Sequence, residues 1–122
     1  MANDFKRFAK PNVGTSTGAS ADAVYTVPAG AGSSALESIV IGITLANNHT
    51  SGITASVFLD NEDGSNDVYI VKNATIPAGS SLEVMAGNKL VVQNDGSNAD
   101  VLRVESSRAS SLDATITVLE DV

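Results

Sequence analysis

From residue 22 onward, short runs of alternating apolar and polar side chains are separated by clusters of Gly, Asn, Asp, Ser and Pro, the pattern of β-strands joined by turns. The runs predict strands at 22–27, 35–46, 53–60, 67–75, 80–85, 88–94, 100–107 and 111–119. Period-two geometry puts Ile39, Ile41, Ile43 and Leu45 on one face of the second strand, and Ile53, Ala55, Val57 and Leu59 on one face of the third. The last run sets Leu112, Ala114, Ile116 and Val118 against Asp113, Thr115 and Thr117. Leu36, Ile39, Val40 and Ile43 also fit helical spacing. The density of β-branched residues around Gly42 decides for a strand, because such side chains lose rotamer freedom in a helix. The whole predicts an all-β protein: an antiparallel, jelly-roll-like β-sandwich of about eight strands, with a closed barrel as second choice.

Residues 1–21 do not share this pattern. The stretch 13–21, Val-Gly-Thr-Ser-Thr-Gly-Ala-Ser-Ala, is small and aperiodic and reads as a linker. The expected organisation is an extended N-terminal arm and linker over 1–21 and a sandwich domain over 22–122. Charge sharpens the division: Lys6, Arg7 and Lys10 against Asp4 give the first twelve residues a net charge of +2, whereas the rest carries −9 of the chain's total of −7. An acidic body disfavours nucleic acid and anionic membrane as partners, since binding a polyanion depends on Lys and Arg displacing its counterions. No apolar run approaches the roughly 20 residues of a membrane-spanning helix, the first residues lack the apolar core of a signal peptide, and there is no cysteine for disulfide or thiolate chemistry. A charged arm can be a solvated tail. Phe5 and Phe8, two of only three phenylalanines, interleave with Lys6, Arg7 and Lys10, and these five residues are the candidate partner interface.

Two pairs of local repeats punctuate the body. Thr26-Val27-Pro28-Ala29-Gly30 and Thr75-Ile76-Pro77-Ala78-Gly79 each follow a predicted strand, and both read as equivalent corners with Pro second and Gly fourth in a β-turn. Asp63-Gly64-Ser65-Asn66 and Asp95-Gly96-Ser97-Asn98 read as hairpin tips. Asp60, Glu62, Asp63 and Asp67 offer oxygen ligands for calcium, but their spacing departs from that of the EF-hand loop. His49 stands alone in a loop, no Gly-x-Ser-x-Gly elbow is present, and five aromatics without tryptophan make a poor sugar platform. Asn48-His49-Thr50 and Asn73-Ala74-Thr75 match the glycosylation pattern, which is common by chance. These observations predict no enzyme, no cofactor and no metal site.

The order of elements resembles that of small virion structural proteins of tailed bacteriophages of the marine, cyanophage type. The resemblance is carried by Phe5-Lys6-Arg7-Phe8 followed by Asn12-Val13-Gly14-Thr15-Ser16, by 24–30, 39–47, 69–84 and 88–93, and by the closing 113–121. It implies a β-sandwich present in many copies on the virion, made in the host cytoplasm, without catalysis. The expected role is a capsid decoration or cement subunit held by its arm to other virion proteins. The major capsid protein or neck and tail proteins are the implied partners, with a homo-oligomer such as a trimer. The alternative is a neck or tail accessory or host-adhesion module whose acidic loops hold calcium. If the arm alone anchors the subunit, removing residues 1–12 leaves a folded protein that no longer joins the particle.

Overall fold

The computed structural model describes residues 3–61, 67–85 and 87–121. Among the described residues there are nine strands: β1 (Asn3–Lys10), β2 (Asp22–Thr26), β3 (Leu36–Asn47), β4 (Ile53–Asp60), β5 (Asp67–Ile76), β6 (Ser81–Glu83), β7 (Leu90–Asn94), β8 (Val101–Ser106) and β9 (Leu112–Asp121). They form two antiparallel sheets packed as a sandwich. One has the order β1-β9-β3-β6 with β7 also on β3, and the other β2-β8-β4-β5. β6 and β7 lie along successive stretches of the same edge of β3, at Thr44–Ala46 and Leu36–Val40. With those two counted together, first pairs with last, second with second-last, and so inward to the β4–β5 hairpin. That nesting is the jelly-roll order expected from the sequence.

The core is built from apolar side chains. Val40, Leu45, Val57, Val92, Leu112 and Val118 have no exposed surface, and burying each such side chain contributes ~1.5–3 kcal/mol. The β9 face holds as expected, with Leu112, Ala114, Ile116 and Val118 all buried. On β4, Ile53, Ala55 and Val57 belong to the core and Leu59 packs against it. Phe58 is also fully buried, yet on the opposite face, with its ring centroid 5.2 Å from that of Tyr69.

β3 departs from simple alternation. Its register against β9 shifts between Val40 and Gly42, and such a bulge moves every later side chain to the other face. Ser38 and Val40 therefore face the core before the bulge, and Ile43, Leu45 and Asn47 after it, while Ile39 and Ile41 remain half-buried. The single face proposed for Ile39, Ile41, Ile43 and Leu45 is thus split in two.

The first strand is the largest difference from the sequence reading. Residues 3–10 pair in unbroken register with β9, from Asn3 opposite Asp121 to Lys10 opposite Ala114. The connector that follows is also tied down. Val13 is fully buried and its N–H donates to the Leu112 carbonyl at 2.8 Å, while the Gly14 N–H donates to Asp22 Oδ2 at 2.7 Å. Periodicity gave no sign of this because only one face of an edge strand meets the core, and on β1 that face carries Lys6 and Lys10 beside Phe8.

The two Pro-Ala-Gly sites are not equivalent. At the second, the Ser80 N–H donates to the Pro77 carbonyl at 3.1 Å and Gly79 has φ 68°. Proline is therefore first and glycine third, where a type II-like turn requires positive φ. At the first, the Gly30 N–H donates to the Ser34 carbonyl at 2.8 Å, closing a small loop over residues 31–33. A Cβ on Gly30 would stand 2.6 Å from Ser34 Oγ, so there the glycine serves close approach.

Candidate interaction face and the buried anchor of the first strand

Alternation along β1 divides the five candidate residues. Lys6, Phe8 and Lys10 turn toward the opposing sheet, and Phe5 and Arg7 turn outward. Lys6 Nζ lies 2.9 Å from Glu120 Oε1, across the ladder from β1 to β9. The Glu120 side chain is only 2 % exposed, whereas that of Lys6 is 44 % exposed. The other carboxylate oxygen, Oε2, accepts a 2.6 Å hydrogen bond from the Tyr25 hydroxyl, which also lies 2.9 Å from Ser38 Oγ. Phe8 closes the group from above, its ring centroid 4.9 Å from that of Tyr25.

The electrostatics follow from burial. A carboxylate removed from water is costly unless paired and hydrogen-bonded, and Lys6 and Tyr25 supply those partners. The Lys6 ammonium is held above its ordinary pKa, first by its hydrogen bond to Glu120 and then by the charge of that carboxylate. Tyr25 is also pushed up, chiefly by burial and next by its hydrogen bond to Glu120. The sequence contains the signal for this group, since Glu120 continues the inward series Leu112, Ala114, Ile116 and Val118. It goes unnoticed because a terminal glutamate ordinarily reads as solvated.

On the outer face, register aligns four apolar residues. Phe5 lies opposite Leu119, Leu119 opposite Ile39, and Ile39 opposite Val91. They form a row perpendicular to four neighbouring strands, and at a strand spacing of ~4.8 Å its ends are about 14 Å apart. Both ends are open: Phe5 is 74 % exposed and Val91 60 %. Arg7 and Thr117 form the next row on this face. Single exposed apolar residues are ordinary, and the alignment of four in one row makes this face a candidate interaction surface. Only pairing of β1 with β9 and of β7 with β3 assembles it, so no local motif announces it.

Several of the remaining candidates have structural partners. Asp60 Oδ2 accepts a 2.9 Å bond from Arg103 Nε, and residues 62–66, which include Glu62 and Asp63 of the calcium reading, lie outside the described residues. In the second acidic loop, Asp95 Oδ1 accepts the N–H groups of Ser97 and Asn98 at 2.8 and 2.7 Å. Those backbone donors, Asn98 first, hold its carboxyl below the usual range. Among the described residues, no three His, Asp or Glu side chains converge as a metal site. The His49 N–H donates to Asn47 Oδ1 at 2.8 Å, and the Asn47 amide donates to the Ser51 and Ile76 carbonyls, so this segment braces the β3–β4 connection. No helix among the described residues is long and apolar enough to cross a membrane.

Fold and face together define an antiparallel β-sandwich with jelly-roll strand order and an exposed apolar stripe on one sheet. Comparison with protein-family models, curated proteins and solved structures finds no match to this chain.

Proposed function

We propose that the protein is a non-enzymatic structural subunit of a bacteriophage particle, a capsid decoration subunit that docks through the outer face of its β1-β9-β3-β7 sheet. The observation that carries this reading is the Phe5–Leu119–Ile39–Val91 stripe, open at both ends. Apolar anchors with a polar or cationic rim are the usual anatomy of a protein interface, and Arg7 provides such a rim. Jelly rolls recur in viral coats, which supports the assignment by analogy. The partner is the capsid lattice, and the occupied surface is the face of the sheet. The residues 5–8 segment still marks the attachment region, with Phe5 and Arg7 making contact and Lys6 and Phe8 holding the strand in place. A cryo-EM map of purified particles of the phage encoding this chain tests the assignment. Density for the sandwich on the shell is expected, and density confined to neck or tail, or absence from the virion, overturns it.

A further inference from the structure

We propose that the outer face of the β2-β8-β4-β5 sheet carries a binding site for one neutral sugar ring, a site separate from the apolar stripe and independent of how the subunit docks. A depression of about 250 Å³ opens there, lined by Thr15 and Thr17 of the β1–β2 connector, Thr54 and Ser56 of β4, Asn73 of β5 and Glu105 of β8. A β-bulge forms it: the β4–β5 register shifts between Ala55 and Val57, which re-aims the side chains around it. Asn73 takes a left-handed conformation at φ 51°, held by its N–H donating to Ser56 Oγ at 2.8 Å. Glu105 is fixed as well, because its Oε2 accepts the Gly18 N–H at 3.0 Å. The connector is thereby pinned as the wall of the pocket.

The lining selects the ligand class. Every lining residue bears a hydroxyl, amide or carboxylate, and none is cationic, so phosphates and carboxylates have no counter-charge there. One carboxylate is too few for a calcium site, which takes six to eight oxygen ligands. Vicinal sugar hydroxyls both donate and accept, matching a carboxylate acceptor facing an amide and threonine hydroxyls. The volume falls below the ~300–1,000 Å³ of sites for drug-sized ligands and suits a single ring.

The test is an NMR titration of the amide spectrum with glucose, galactose, mannose and N-acetylglucosamine, with glucuronate and calcium chloride as separate arms. Saturable shifts at residues 15–18, 54–56, 73 and 105 are expected for at least one neutral sugar, with affinity on the order of millimolar. Glu105→Gln should weaken binding about tenfold, and Thr54→Val should weaken it in a protein whose other amide signals are unchanged. No saturable shift with any of the four sugars, tighter binding of glucuronate, the same shifts with calcium alone, or indifference to both substitutions overturns the proposal.

Discussion

Glu120 is the residue on which the seating of the first strand turns. Its carboxylate is buried, with Oε1 in an ion pair with Lys6 and Oε2 hydrogen-bonded by Tyr25, and Oε1 has no hydrogen-bond partner beyond that pair. Tyr25→Phe removes the hydroxyl that serves Glu120 and Ser38 together and should cost ~1–3 kcal/mol in urea unfolding, the range for stranding a buried acceptor. Lys6→Met should also destabilise, and pairing it with Glu120→Leu should recover stability, because an apolar pair leaves no unpartnered buried charge. The same group sets an alkaline limit. Lys6 has a raised pKa in the folded state, so its contribution is complete below the unfolded value near 10.5 and is lost as pH rises through the folded value. Tyr25 is raised too, so above its unfolded value of 10.0 the unfolded chain loses a proton that the folded chain keeps, and stability falls. Thermal melts should therefore show no pH dependence from either group near neutral pH and a declining Tm above about pH 10. In the Tyr25→Phe variant that decline should be shallower, and an unchanged slope would remove Tyr25 from the account.

Among the elements, β1 has changed character most. An arm that serves only as an anchor could be removed, residues 1–12 entire, without loss of the fold. The structure predicts a lower melting temperature instead, since truncation takes away the Lys6 partner of Glu120 and the Phe8 ring over Tyr25. A truncated protein that melts at the full-length temperature would contradict this. Lys6 also bears on how β1 makes contact. Inward-pointing charge on an edge strand is a device that discourages further strand pairing, which favours docking through the face of the sheet over strand addition at its edge. The Pro-Ala-Gly sites can be separated by mutation in the same way. Gly79→Ala places a Cβ on a residue at φ 68° and should cost about 1 kcal/mol, whereas Pro28→Ala, in a segment that makes no proline turn, should cost less. Equal losses in denaturant midpoints would restore their equivalence.

At the scale of the whole molecule, legibility in the sequence follows contact range. Strands with one clean apolar face, such as β9 with Leu112, Ala114, Ile116 and Val118, could be read directly. So could the sandwich class, because turn residues and period-two runs are local signals. Long-range register could not. The β3 bulge that puts Ile39 and Ile43 on opposite faces, the antiparallel seating of β1 and the separate pairing of β6 and β7 with β3 depend on partners tens of residues away. The interaction face inherits that limit, since Phe5, Leu119, Ile39 and Val91 meet only after three separate strand pairings. Phe5 and Arg7 could be nominated from composition, while Leu119, Ile39 and Val91 looked like ordinary strand residues.

The stripe is also where the functional account is most exposed to test. The double variant Phe5→Ser, Val91→Ser alters only the two open ends of the row and leaves Lys6, Phe8, Tyr25 and Glu120 in place. Its copy number on purified virions, measured by quantitative mass spectrometry against the major capsid protein, tests the central claim most directly. The account predicts a folded variant with native-like melting and strongly reduced occupancy, whereas full occupancy on the shell would contradict docking through this face.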